Sequence, residues 1–218
     1  MTAKPDVSVI IPTYNQELYI ARCLRSIIGQ SFDEKKYEII LINDKSTDKT
    51  KKILNIFKEK IKIINNKKRF GLPKSINIGI KKSTGKYVVR LDSDDYVNRD
   101  FLKILYLYMS HNPEIDAVSS DYYLVNDKEI ILEKKNSLKS PIACGIMFKI
   151  DQLIEIGLYD EKFFVREDKD LRYRFLKKFK ITRIPLPLYR YRRHKNNITN
   201  NKVMMKKHLK KFKEKYKI

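Results

Sequence analysis

Four short apolar runs, each followed by a segment of helical apolar spacing, constrain what the first half of this chain can fold into. Val7-Ser8-Val9-Ile10-Ile11 lies between Pro5 and Pro12 and is nearly continuous in apolar character, as a strand buried on both faces must be. Ile20, Cys23, Leu24, Ile27 and Ile28 then recur at the spacing of one amphipathic helix face. Glu38 to Ile42 predicts a second strand, and Asp44 or Ser46 is placed to cap a helix carrying Ile53, Leu54 and Phe57. Lys60 to Ile64 predicts a weaker third strand, a short helix ends near Lys82, and Tyr87 to Leu91 predicts the fourth strand. Phe101, Ile104, Leu105, Tyr108 and Met109 share the face of a further helix. Such alternation implies an α/β fold. Its central sheet is mostly parallel and flanked by helices on both faces, because parallel neighbours need a long crossover between them.

The second half reads differently. Ile115 to Ser120, Asp121 to Val125, Glu129 to Leu132, Pro141 to Lys149, Ile181 to Ile184 and Leu188 to Tyr191 have strand character. Helices are predicted over Gln152 to Ile156 and from Glu167 to about Phe179. From about Lys202 the pattern changes again: Met205, Leu209, Phe212 and Tyr216 form a stripe among lysines, a small basic C-terminal helix. That stripe either packs on the body or meets an anionic membrane surface. At 218 residues the chain suits one domain over 1–200, with halves 1–110 and 111–200, followed by the helix at 201–218.

Charge bears on partners. The net charge of +22 suits polyanionic company, but the excess is mostly lysine alongside abundant Ile and Asn, a bias that an A/T-rich coding sequence produces by itself. Cys23 and Cys144 are far apart and match no metal spacing, which disfavours a disulfide scaffold or a zinc site. No apolar run approaches the ~18–20 residues of a membrane span, and the start of the chain lacks a signal-peptide core. The expectation is a cytoplasmic chain, peripheral on the inner face of the membrane if the basic helix meets lipid.

In an open α/β sheet, ligands bind beyond the carboxyl ends of the parallel strands. Three polar clusters fall there: Pro12-Thr13-Tyr14-Asn15, Asn43-Asp44-Lys45-Ser46 and Asp92-Ser93-Asp94-Asp95. Neither a GxGxxG fingerprint nor a GxxxxGK[ST] loop is present, which argues against a nicotinamide dehydrogenase and a P-loop ATPase. Three carboxylates within four residues repel one another unless a cation sits among them. Hard oxygen donors suit Mn²⁺ or Mg²⁺ shared with substrate phosphates. One Asp would explain a helix cap before Phe101; three would not.

These blocks, with others in the same order, resemble the family 2 inverting glycosyltransferases of GT-A fold. Val7 to Asn15 is similar to their opening strand, and Ile42 to Asp48 to their second nucleotide-contacting turn. Phe70-Gly71, Asn77-Ile78-Gly79 and Thr84 to Tyr87, running into Leu91 to Asp95, resemble the block that ends in their DXD motif. Phe164-Val165-Arg166-Glu167-Asp168 looks like the "ED" motif before their catalytic helix, and Tyr191-Arg192-Arg193-His194 like a closing Tyr-Arg-x-His motif. The likeness spans roughly residues 6–200.

The resemblance implies nucleotide-sugar binding by the first half, UDP being the family's common choice, and a glycan or lipid-linked acceptor on the second. By carry-over, Pro12, Tyr14 and Asp44 line the nucleoside pocket, Asp44 accepting from the base, and Asp92 meets the ribose. Asn15, Ser93, Arg192 and Arg193 belong to the nucleotide-sugar side. Asp94 ligates the metal, with Asp95 and His194 beside it. Asp168 becomes the general base. A helix-face argument agrees: Asp168 lies three residues before Leu171 and shares its inward face, while Glu167 and Asp170 are rotated away. On the residues alone, Asp168 could equally be a first-turn Asp that complements the helix dipole. The sequence therefore reads as a metal-dependent inverting glycosyltransferase of cell-surface polysaccharide synthesis, with no nucleic-acid partner expected. Its rival is a non-catalytic basic module for nucleic acid or membrane, although no RNA-binding or zinc-finger signature supports that.

Overall fold

Among the described residues, 4–218, the computed structural model has nine strands in one sheet. The first three residues of the expected 1–200 domain lie outside them. The strands are β1 (Val7–Thr13), β2 (Tyr37–Asn43), β3 (Lys62–Asn65), β4 (Tyr87–Arg90), β5 (Tyr96–Val97), β6 (Ala117–Val125), β7 (Ile131–Lys135), β8 (Ile146–Lys149) and β9 (Ile181–Arg192). The helices are α1 (Ile20–Ile28), α2 (Thr50–Ile56), α3 (Leu72–Lys81), α4 (Phe101–His111), α5 (Ile150–Glu155), α6 (Glu167–Phe175) and α7 (Lys202–Tyr216). Strand order is β3-β2-β1-β4-β8-β6-β9-β5, with β7 paired to β6.

The expected βα alternation builds the parallel block β3-β2-β1-β4. Every residue of β1 is buried, because both sheet faces are covered. Val7, Val9 and Ile11 face the core shared with α1 and α4, while Ile10 faces the core shared with α3, α5 and α6. Gly79 lets α3 approach the sheet closely: a Cβ there would stand 2.5 Å from the Ile10 side chain. Beyond β4 the sheet becomes mixed, since β8 runs antiparallel to both β4 and β6, whereas β6 and β9 run parallel.

Three local expectations are corrected. The paired short runs around residues 115–125 and 181–191 are each one long strand, β6 and β9. Their register slips between Ser120 and Tyr122, where Ser120 faces Ile184 and Asp121 faces Pro187. That irregularity accommodates Pro185 and Pro187, which cannot donate to a regular ladder. The first turn of α2 is capped by neither Asp44 nor Ser46. Asp48 Oδ1 accepts from the Thr50 N–H at 2.9 Å, Ser46 Oγ accepts from the Asn15 N–H, and Asp44 is used elsewhere. Finally, α6 ends at Phe175.

The tail helix α7 takes the packed alternative for its stripe. Phe212 is buried and meets the Tyr173 ring of α6 edge-on at 5.6 Å. His208 is buried with it. At the far end Lys215 Nζ and Tyr216 Oη donate to Oδ1 of Asp170 at 2.5 and 2.7 Å, and Arg174 Nε donates to its Oδ2 at 2.9 Å. Lys215 and Tyr216 thus tie α7 to Asp170 of α6, which Arg174 of the same helix also holds. Phe212→Ala is expected to cost about 3–5 kcal/mol and to lower Tm by roughly 10 °C in a domain of this size. A melting curve identical to that of the unsubstituted chain would show that α7 contributes nothing to holding the body together.

Candidate active site

The carboxyl ends of β1, β2 and β4 open into a cavity of about 890 Å³, closed on its far side by the start of α6 and the chain from 196 to 205. Pro12, Thr13 and Tyr14 leave β1 on one wall, and Tyr14 lies under the guanidinium of Arg69 at 3.9 Å. Asp44 follows β2 and is nearly inaccessible. Its Oδ1 accepts from the Phe70 N–H and from Asn66 Nδ2, and its Oδ2 from the Gly71 N–H, at 2.7–2.8 Å. Gly71 has φ 89°, and a Cβ there would press on the Phe164 ring at 3.1 Å. Asp44 therefore shapes the loop over Tyr14 as well as lining the cavity. Its carboxylate retains acceptor capacity beyond these three bonds.

The acid cluster after β4 divides into three environments. Asp92 takes a two-pronged bond from Arg90, Nε to Oδ1 at 2.6 Å and Nη2 to Oδ2 at 3.1 Å. Asp95 turns inward, accepting from the Arg192 N–H and the Tyr189 hydroxyl, both at 2.7 Å. Asp94 faces the cavity, and its Oδ2 meets Nε2 of His194 at 2.9 Å. Burial, and then the neighbouring carboxylates Asp94 and Asp92, push the Asp95 carboxyl well up. Burial also raises Asp92, against the pull of Arg90. Negative charge is thus crowded here, and Asp94 is the acid least committed to protein donors. Hard carboxylate oxygen, an adjacent imidazole and uncompensated charge fit Mn²⁺ or Mg²⁺. Asp92, Asp95 and Cys144 also bring potential ligand atoms within 4.8 Å of one another. That set is a poor competitor, because both acids are already bonded and burial pushes the Cys144 thiol well up.

Across the cavity, α6 is preceded by Arg166, a non-glycine residue with φ 61°. Asp168 lines the cavity and is half-buried. The expectation that Glu167 and Asp170 turn away from the interior is corrected, since both are more buried than Asp168. Glu167 Oε1 accepts from Arg90 Nη1 at 2.9 Å. Burial pushes its carboxyl up to about 7, with Arg90 opposing and Asp168 adding to the rise. Arg90, itself buried, therefore joins the acid cluster to the first turn of α6.

Of the residues singled out in the sequence, Pro12, Tyr14, Asp44, Asp92, Ser93, Asp94 and Asp168 meet in this one cavity. Five do not line it: Asn15, Asp95, Arg192, Arg193 and His194. Asn15 ties two loops together, bonding the Thr47 N–H at 2.8 Å. Asp95 is held inside as described. Arg192 is buried behind the site, bonded to the Asp94 carbonyl and to Glu129. Arg193 is exposed. His194 reaches the site only through Asp94. Sequence reasoning missed Arg90, whose charge within the apolar run Tyr87–Leu91 was a signal. It also missed Asn66, for which the polar stretch 65–74 offers none.

Comparison with known proteins agrees with this geometry. The family model described as glycosyl transferase family 2 matches residues 8–212. A relative from Haemophilus influenzae, named only as an uncharacterized glycosyltransferase, is 40% identical over 146 residues, 66% of this chain and 40% of its own. TarS of Staphylococcus aureus, named a poly(ribitol-phosphate) beta-N-acetylglucosaminyltransferase, is 35% identical over 56% of this chain and 21% of its own length. The chain thus spans two fifths or less of these relatives. TarS 1-349 in complex with UDP-GlcNAc superposes with a TM-score of 0.77 at 23% identity, covering 90% of this chain and 61% of that one. A mannosyltransferase of Pyrobaculum calidifontis, in complex with GDP-Man and Mn2+, gives 0.74 at 20% identity over 95% of this chain and 63% of its own. The fold is GT-A.

Proposed function

The chain belongs to glycosyl transferase family 2, and on that premise we propose that it transfers a sugar, with inversion, from a UDP-sugar to a hydroxyl of a cell-surface glycan or lipid-linked acceptor. One observation carries this reading. The nucleotide-side turns after β1 and β2, the acid cluster after β4 and the half-buried Asp168 of α6 share a single cavity. Relatives named for teichoic-acid synthesis and a GT-A neighbour holding UDP-GlcNAc support the donor and the setting.

The chemistry follows from the placement. Tyr14, Arg69 and Asp44 form the side that holds the base, and Asp92, fixed by Arg90, faces the ribose. Asp94, with His194 behind it, would hold Mn²⁺ or Mg²⁺, which when bound would supply positive charge to offset the negative charge developing on the departing diphosphate. Asp168 accepts the proton of the acceptor hydroxyl as the new glycosidic C–O bond forms and the C–O bond to phosphate breaks. Displacement in one step inverts the anomeric centre, so no second nucleophilic carboxylate is required at the sugar.

Among the described residues no helix is long and apolar enough to cross a membrane. The rival reading, a non-catalytic basic module for nucleic acid or membrane, rests only on the charge of +22. Thermal stabilisation at matched salt separates the two. UDP with Mn²⁺ is expected to raise Tm and a single-stranded oligonucleotide to leave it unchanged. The reverse pattern would remove the transferase reading.

A further inference from the structure

We infer that the acceptor carries a phosphate group, seated against Arg172 one helical turn beyond Asp168; the inference rests on the transferase reading above. Asp168 and Arg172 stand four residues apart on α6, neighbours on its surface, and both line the cavity. Nη1 of Arg172 is buried and has no hydrogen-bond partner. Other arginines of the molecule are answered: Arg90 by Asp92 and Glu167, Arg174 by Asp170, Arg183 by Asp121, Arg192 by Glu129. Among the described residues Arg172 has no such partner, although it has been taken partly out of water. Burial lowers its pKa, and Asp168 alone opposes that.

A guanidinium offers donors only, so what completes it must accept, and an anion completes it best. Asp168 is not free to do so if it is to take a proton from the acceptor. Leaving a buried donor unmade is costly, and a ligand that fills the position recovers that cost on binding. Phe148, Leu171 and Ile181 line the same cavity, and apolar lining strengthens a charge pair formed there. Arg166 and Lys169 line the same cavity. Arg166 commits Nε to the Met205 carbonyl, which leaves its terminal nitrogens available. The Lys169 ammonium lies instead over the Phe212 ring of α7 at 4.7 Å. The two guanidiniums of Arg166 and Arg172 on the cavity wall favour a group of more than one negative charge, which a phosphate ester supplies and a carboxylate does not. Arg172 shares α6 with the base, whereas the donor diphosphate belongs with Asp94 after β4. The phosphate is accordingly the acceptor's.

The test titrates the whole chain, saturated with UDP and Mn²⁺ so that the donor position is filled, with glycerol 3-phosphate, glycerol and glucuronate. Glycerol 3-phosphate is expected to bind and glycerol not to. Arg172→Gln should weaken the phosphate ester roughly tenfold or more, and Arg172→Lys, which keeps charge but loses the planar fork, should fall between. UDP affinity, measured on each preparation, reports the donor site and the fold. Four outcomes overturn the inference. These are equal binding of glycerol and its phosphate, stronger binding of glucuronate, unaltered phosphate binding in Arg172→Gln, or parallel loss of UDP and phosphate affinity in both variants. Failure of the unsubstituted chain to bind UDP would instead sink the transferase reading, and the phosphate arm, run without UDP, would still report on Arg172.

Discussion

Asp168→Asn is expected to lower the transfer rate by roughly 10²–10⁴-fold, the usual loss for a general base, while UDP affinity stays as it was. The substitution keeps the side chain's shape and removes its basicity. On the proposed reading the donor is held by Tyr14, Asp44, Asp92 and Asp94, which line the same cavity on other elements than α6. Glu167 is the natural competitor for the role, one residue away and pushed up to about 7. Its position counts against it: it is 4% exposed and bound to Arg90 at 2.9 Å, whereas Asp168 is half-buried and open to the cavity. Glu167→Gln should therefore act through Arg90, disturbing Asp92 and hence UDP affinity. The measurement is transfer rate and UDP dissociation constant on the same preparation. Near-normal turnover in Asp168→Asn would move the base elsewhere, and loss of UDP binding with turnover would make Asp168 a shaping residue.

What could be read from the sequence follows the range of the interactions. The βα half was legible because period and burial are local: Ile20, Cys23, Leu24 and Ile27 are all buried as their spacing requires. The cavity's location was legible for the same reason, since strand ends fix it. The mixed second half was not, because Pro185 and Pro187 interrupt the period within a strand whose continuity comes from pairing with β6. On α6 the helix wheel put Asp168 on the side of Leu171 and the cavity. It failed for Glu167 and Asp170, which it rotated away from that face, because a second packed face on the same helix is invisible to it. Their burial depends on Arg90, 77 residues away from Glu167, and on Lys215 and Tyr216 of α7. Partners at such separation leave no mark on local pattern. Likewise, the run Asp92-Ser93-Asp94-Asp95 announces a cation but cannot say which acid faces it. Only the bonds from Arg90, and from Tyr189 and the Arg192 N–H, remove Asp92 and Asp95 from contention.

That division of labour makes Asp94→Ala the sharper of two substitutions. It should abolish the Mn²⁺-dependent part of nucleoside diphosphate binding, because carboxylate and phosphates share the ion. Partners that only orient a ligand typically cost 10–100-fold in metal affinity when removed. The ligand itself should cost at least the top of that range, about 100-fold. His194 discriminates the two kinds of role. Its Nε2 bonds Oδ2 of Asp94, and it is nearly inaccessible from the cavity side. If it holds Asp94 in place, His194→Ala should fall within the lower range and keep some Mn²⁺ dependence. If it is a ligand, the loss should match that of Asp94→Ala. Isothermal titration of UDP into each chain, with Mn²⁺ and with EDTA, reads the difference. Equal UDP affinity for the unsubstituted chain and Asp94→Ala, with and without metal, would remove the acid cluster from metal binding altogether. Asp95→Asn offers the control from the inward side. Asp95 accepts from Tyr189, the Arg192 N–H and Cys144 Sγ, so its loss should lower Tm by loosening the turn before β5 from β9 while Mn²⁺ dependence persists.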